Sequence, residues 1–276
     1  MELSHFVMCI LTVISMASAN PVRYEENFHE IIQDLRQLLN EEIVAEAPKY
    51  MDQVLSDVAE EELNSIPDEK DWRKDGYVSA IKNQGQCASC WSFTATGTME
   101  GQWYNSTGHL IQLSEQNLVD CAKDNGCDGG SVKRAFIYMR DEGIEPSHSY
   151  PYKGKKGTCS FNLSDSIGTL TDFKRLRGTN EAEIMKIVAK HGPVSIYVFM
   201  SEKFLNFRGT GIFNDPKCNK KPNHAVVVVG YVNKPSEKYW IIKNSWGTSW
   251  GDQGYMKMIM NKNMCNMNYL VYYPIV

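Results

Sequence analysis

After its first twenty residues the chain has no apolar run approaching the roughly 18–20 residues that a membrane span requires. It has no low-complexity tract and no short-period repeat, and 11% of its residues are aromatic, which excludes a mostly disordered chain. Basic residues gather no further than pairs such as Lys155-Lys156 and Lys220-Lys221, too little for a nucleic-acid surface. One Cys-x-x-Cys is present, Cys87 to Cys90, and no second one, so the four-cysteine zinc pattern is missing. No metal, no cofactor, no nucleic acid and no membrane are expected as partners.

What is present begins with an N-terminal leader. Phe6 to Ala17 is apolar, too short to cross a bilayer, and Ala17-Ser18-Ala19 forms an A-x-A cleavage site before Asn20. These features predict a signal peptide over 1–19 and a secretory route, lysosomal or extracellular. Of the eight cysteines Cys9 leaves with the leader, and seven remain. An oxidising compartment favours pairing, so three bridges would leave one thiol over. That thiol is an intermolecular partner, an inert buried cysteine or a nucleophile. Charge is divided unevenly. Residues 20–66 carry 12 acidic and 3 basic side chains, a net −9, whereas 67–276 carry 20 and 26, a net +6. An acidic segment therefore precedes a basic body, and carboxylate protonation on acidification would weaken any docking between them.

With 276 residues and 42% hydrophobic content, the chain can bury a substantial core, as one large unit or two lobes. Apolar positions recur at helical spacing over 27–46 and more weakly over 50–63, and Ile66-Pro67 ends the pattern. The expected organisation is a short acidic helical prosegment over 20–66 and a main domain over 67–276. Helical signals dominate to about residue 190. The pattern predicts helices from Cys90 to Gly101, after an N-cap at Ser114, and from Ser131 to Glu142. Strands are predicted at Val194–Phe199, Ala225–Val232, Tyr239–Ile242 and Tyr255–Ile259. Helices first and strands later indicate an α+β chain, with a cleft between lobes as a natural ligand site.

The densest chemical signal is Asn83-Gln84-Gly85-Gln86-Cys87-Ala88-Ser89-Cys90-Trp91. A cysteine that opens a helix has its thiolate stabilised by the positive end of the dipole, and a neighbouring imidazolium lowers a thiol pKa from about 8.5 to about 3–4. N–H groups at the helix start, with the Gln84 amide, could hold the oxyanion of a tetrahedral intermediate.

This segment resembles the active-site signature of papain-like cysteine proteases, and three distant segments agree in order. Gly126-Cys127-Asp128-Gly129-Gly130 is similar to the family's substrate-binding glycine loop. Asn223-His224-Ala225-Val226 is similar to its histidine segment, and Lys243-Asn244-Ser245-Trp246-Gly247 with Trp250-Gly251 to its asparagine segment. The resemblance covers roughly 67–276 and is nearest the cathepsin L group. It implies the papain-like two-lobed fold, a helical left lobe and a β-barrel-like right lobe with the active-site cleft between. It implies Cys90 as nucleophile, His224 as base and then acid, Asn244 as orienter of the imidazole, and Trp246 as its cover. Gln84 and the Cys90 N–H become the oxyanion donors. Substrate binding falls to Gly129, Gly130, Val132, Tyr197, Pro222, Asn223, Trp246 and Leu270. It also implies bridges Cys87–Cys127, Cys121–Cys159 and Cys218–Cys265, with Cys90 as the odd thiol. The implied partners are protein or peptide substrates, the chain's own prosegment and cystatin-type inhibitors, and the enzyme is expected to be a monomer.

Two departures from the family stand out. Ala88 occupies a position usually glycine, and the segment over 20–66 is shorter than a cathepsin L-like prosegment. The P2 pocket is expected to be apolar and, with bulky Tyr197, shallow. No insertion marks an exopeptidase, so an endopeptidase is expected. Read alone, Cys87-x-x-Cys90 is a redox pair or half a zinc site, and His224 a core histidine. The other function class is a papain-fold binding protein without catalysis. His109, His148 and His191 are expected at the surface. Asn105-Ser-Thr and Asn162-Leu-Ser are glycosylation sequons.

Overall fold

The computed structural model of the chain describes residues 66–276. The leader, the acidic helices expected between 27 and 63 and the prosegment they would form lie outside the described residues.

Helix α1, Cys90–Thr107, is buried along most of its circumference from Trp91 to Gln102. Such a helix needs little amphipathic patterning, because it is enclosed on all sides. It ends where Gly108 takes a left-handed conformation, φ 72°, and donates its N–H to the Tyr104 carbonyl. It continues six residues past the expected end at Gly101. Helix α2, Glu115–Cys121, is capped as anticipated, with the Ser114 side chain accepting the Asn117 N–H at 2.9 Å. Helix α3, Val132–Asp141, buries Val132, Ala135, Phe136 and Met139 on one stripe. These three helices enclose a core of Trp91, Ala95, Met99, Leu118, Phe136, Met139 and Ile144.

The second core lies on a sheet. Its strands are β1 Glu69–Asp71, β2 Asp172–Arg177, β3 Val194–Val198, β4 Ile212–Phe213, β5 His224–Lys234, β6 Glu237–Lys243, β7 Tyr255–Ile259 and β8 Leu270–Ile275. Their order is β2-β8-β3-β5-β6-β7-β4, with β1 added on β5. The path stays open, with edges at β2 and β4, so the barrel-like lobe is a curved sheet and not a closed barrel. Strand β5 is buried over its first nine residues, which explains a continuous valine run instead of alternation. A bulge at Val229 shifts its register on β6. β1 crosses so closely there that a side chain at Gly230 would come within 2.2 Å of the Lys70 carbonyl oxygen.

Helix α4, Glu181–His191, packs Ile184, Met185, Ile187 and Val188 into this second core. The short helix α5, Glu202–Leu205, contributes Phe204. The buried Glu181 carboxylate accepts the Trp240 indole N–H at 2.8 Å and the N–H groups of Asn261 and Asn263, both at 2.7 Å. That clamp fixes a turn in which Asn261, Asn263, Cys265 and Asn266 all have positive φ. Three disulfides form: Cys87–Cys127, Cys121–Cys159 and Cys218–Cys265. The first two tie the helical side together, and the third ties the Asn-rich turn to the loop before β5.

Candidate active site

The one free cysteine among the described residues is Cys90, at the first position of α1. Cys87 is bonded to Cys127, so Cys87-x-x-Cys90 is not a redox pair in this fold. The bridge also holds the turn before α1: Ala88 N–H donates to the Cys127 carbonyl at 2.9 Å, and Ser92 N–H to that of Ser89 at 2.9 Å. The Cys90 side chain is half-buried, and the backbone amides of Ala225, Trp91 and Cys90 itself lie on the side that favours its thiolate. Two of these belong to the helix N-terminus. The third comes from β5, immediately after His224. A residue at the edge of the helical core thus meets the start of the longest strand.

His224 opens β5 and is 3% exposed. Its ring stacks on Trp246, centroids 4.7 Å apart with 29° between the planes, and Trp246 is braced by Phe204 and Trp250. The His224 Nε2 lies 2.9 Å from the Asn244 Oδ1, and the same oxygen accepts the Ser245 N–H at 2.8 Å. A backbone N–H can only donate, so the shared atom is oxygen and not the amide nitrogen. Nε2 therefore carries hydrogen, and in the neutral ring Nδ1 is the basic atom.

Burial acts on each group separately in the same direction. It pushes the imidazole down to about 4, the Asn244 hydrogen bond opposing. It pushes the thiol up, those three backbone amides opposing. Each group alone favours its neutral form, and the charged forms become favourable only as a pair in which each neutralises the other.

Gln84 is buried and held on both sides. Its Nε2 donates to the Cys87 carbonyl at 2.8 Å, its Oε1 accepts from Ser245 Oγ at 2.7 Å, and its N–H donates to the Ser245 carbonyl at 2.8 Å. One amide hydrogen of Gln84 is thereby left available. Tyr152 supports the same turn: its hydroxyl donates to the Gln84 carbonyl at 2.9 Å and lies 2.7 Å from Ser89 Oγ.

Val132, Ala225, Tyr197 and Leu270 pack in one apolar cluster with Cys90. Tyr197 faces Ala225 across β3 and β5, and its hydroxyl accepts the Val132 N–H at 2.9 Å. Burial pushes this phenol up to about 12. Pro222 is half-buried and lies outside that cluster. Asn223 is spent on the backbone, donating its N–H to Val198 and accepting that of Met200. Gly129 has φ 101°, and a side chain on Gly130 would meet the Trp91 ring at 2.4 Å, so close packing requires glycine there. His109, His148 and His191 are exposed, as are Ala88 and both sequon asparagines, Asn105 and Asn162. Among the described residues no three His, Cys, Asp or Glu side chains converge as metal ligands.

Ala225, Ser245 and Tyr152 hold this arrangement and carried no assigned role in the sequence reading. Ala225 and Ser245 lie inside the quoted segments but act through backbone and hydroxyl groups that no residue-type pattern reveals. Tyr152 stands in Tyr150-Pro151-Tyr152 with no chemical signal around it.

A free thiol at a helix N-terminus, packed on the residue that follows an Asn-held histidine, defines a candidate cysteine–histidine site in an α+β frame. The family model described as papain family cysteine protease matches residues 66–275, and the chain belongs to that family. It is 44% identical over 221 residues to Testin-2 of Rattus norvegicus, covering 76% of this chain and 66% of that protein. It is also 44% identical over 218 residues to a cathepsin L-like peptidase of Aedes aegypti, covering 76% and 64%. A digestive procathepsin L 3 from Tenebrio molitor larval midgut superposes with a TM-score of 0.72 at 39% identity, covering 76% of this chain and 70% of that one. The match thus spans just under two thirds of the length of those two relatives.

Proposed function

We propose that the chain is a cysteine endopeptidase, with Cys90 as nucleophile, His224 as base and Asn244 as its anchor. The observation that carries this is the place of the free thiol: Cys90 opens α1 and packs in one cluster with Ala225, the residue after His224, while Asn244 fixes the imidazole with Nδ1 basic. The thiol proton passes to Nδ1, and the sulfur adds to the scissile carbonyl. The imidazolium then protonates the departing amine, leaving a thioester that water cleaves with the imidazole again as base. Gln84 and the Cys90 N–H stabilise the oxyanion. Gly129 and Gly130 receive the extended substrate backbone as an added strand, and no hydrogen bond among the described residues engages the Gly130 main chain. The secretory route, removal of the acidic prosegment near 63–67, glycans on Asn105 and Asn162, and inhibition by cystatin-type proteins belong to the same reading.

Labelling tests it. A thiol-directed epoxide should modify Cys90 alone, found by peptide mass spectrometry, and abolish peptide hydrolysis in proportion. A chain that hydrolyses no peptide and whose Cys90 reacts no faster than a simple thiol is a papain-fold binding protein.

Tyr197 sets the depth of the P2 pocket in this reading. Its ring packs with Val132 and Leu270, and its hydroxyl is tied to the first N–H of α3, so it cannot swing aside without losing that bond. The enzyme should prefer Val or Leu at P2 over Phe. Tyr197→Ala should raise the Phe-to-Val ratio of kcat/KM by about 10-fold or more, since a side-chain-sized change in an apolar pocket is worth about 1–3 kcal/mol. A P2-varied peptide library reads the ratio, and an unchanged ratio removes Tyr197 from the pocket.

A further inference from the structure

Beneath the site lies a buried charged quartet that the mechanism above does not use. The Lys82 Nζ bonds Glu100 Oε1 at 2.6 Å and Glu115 Oε1 at 2.5 Å. Ser79 Oγ donates to the other Glu100 oxygen at 2.5 Å. The Lys243 Nζ donates to the Ser79 carbonyl and hydroxyl oxygens, both at 2.9 Å. Lys243 is 8% exposed and Glu100 is fully buried. An ammonium and a carboxylate at such depth persist only when paired and hydrogen-bonded.

The position of this cluster matters more than its energy. Glu100 is on α1, ten residues after Cys90. Lys243 ends β6 and directly precedes Asn244. The chain Glu100–Ser79–Lys243 therefore crosses from the helix that carries the thiol to the turn that carries the imidazole's anchor. Asn244 shares its Oδ1 between His224 and the Ser245 N–H. Its N–H donates to the Gly254 carbonyl at 3.1 Å, and its Nδ2 is buried with no partner. A small cavity lies in the same seam, lined by Lys82, Glu100, Lys243, Asn244 and Ser245 among others. One water there would accept the third ammonium hydrogen of Lys243.

We infer that Lys243 is a positioning residue: its buried ammonium, held on Ser79 and Glu100, sets the Asn244 turn and through it the orientation of the His224 imidazole. With all four groups ionised the quartet is neutral. Losing the Lys243 proton leaves a net negative charge buried beside Asn244. Burial pulls Lys243 down to about 8, with Glu100 and Glu115 opposing and Lys82 adding to the fall. From β7, Tyr255 lies opposite Lys243 in register, and its phenol is pushed up by burial. Burial also pushes the Glu115 carboxyl up, but among the cationic and phenolic groups here, Lys82, Tyr255 and Lys243, only Lys243 is lowered, so the positioning is lost above about pH 8.

The test separates this role from the catalytic reading on which its kinetic arm rests. In a Cys90→Ser background the imidazole is neutral over pH 6–10, so its own titration does not intrude. The His224 ring resonances of labelled protein should then show a step near pH 8, absent in Cys90→Ser/Lys243→Met. Lys243→Met should lower kcat about 10-fold at pH 6 and keep KM within twofold. Should Lys243→Met not fold, Ser79→Ala decides. It removes one acceptor of the charged lysine, so the step should move to lower pH. A His224 step that persists in Lys243→Met, or stays in place in Ser79→Ala, overturns the proposal. No hydrolysis at any pH with the step present overturns the proteolytic reading alone.

Discussion

Cys90→Ala should eliminate peptide hydrolysis, with kcat reduced on the order of 10⁴-fold or more, and His224→Ala should do nearly the same. The two groups act as one unit, because each is driven towards its neutral form when the other is missing. The double variant should therefore be scarcely worse than either single one. Folding should be spared at Cys90, a free, half-buried side chain. At His224 the loss of the ring leaves the Trp246 face and the Asn244 oxygen without their partner, so a lower melting temperature should accompany the kinetic loss. Hydrolysis rates with a peptide substrate, alongside melting curves for each variant, check this. Rate losses that multiply in the double variant would mean that the residues act independently.

Gln84→Ala should lower kcat by about 10²–10³-fold with little change in KM, the usual effect of removing one oxyanion donor. Gln84 is suited to that task because its orientation is already fixed. Cys87 takes one amide hydrogen, Ser245 Oγ occupies the carbonyl oxygen and the backbone is bonded to Ser245. The remaining hydrogen needs no reorganisation when charge develops on the substrate oxygen. Gln84→Glu keeps the acceptor for Ser245 and places a carboxylate where the donor was, so it should lose at least as much activity as alanine despite its better shape. If Gln84→Glu hydrolyses peptide as well as the native chain, the donor lies elsewhere.

The sequence made some parts of this architecture readable because local signals and tertiary structure agree there. Ser114 caps α2 as its side chain suggests, and Ser131 precedes α3. The odd count of seven cysteines was already a reason to look for a free thiol, and Cys90 is unpaired. Strand β5 was visible as an unbroken apolar run, and β7 as a short β-rich one. The failures have equally local causes. Strand β2 reads Asp172-Phe-Lys-Arg-Leu-Arg177, an edge strand whose charges hide its alternation while discouraging further pairing. Strand β8 carries a proline, tolerated beside the edge strand, that argues against a strand by composition. Helix α1 lacks a polar face to mark its length, so its end was set too early at Gly101.

The site shows the same division. Residue types announce Cys90, His224, Asn244 and Gln84, since each brings a functional group with a role in the proposed chemistry. Ala225 contributes only a backbone N–H, and Ser245 two backbone bonds and a hydroxyl. Lys243 lies in a segment already quoted, but a lysine on a strand normally reads as solvated. Only its depth and its contact with Ser79 make it more than that.

The charge-separated pair is most directly tested by the pH dependence of Cys90 alkylation by iodoacetamide, followed on the native chain and on His224→Ala. The thiolate is the reacting form, so the rate reports its population without any substrate. If the imidazole holds the proton that the sulfur gives up, native Cys90 should react fast from about pH 5 upward, whereas the His224→Ala thiol, raised by burial, should stay nearly inert until the pH passes the ordinary thiol range. Identical profiles for the two proteins, both rising as an ordinary thiol does, would contradict the pair and with it the proposed chemistry.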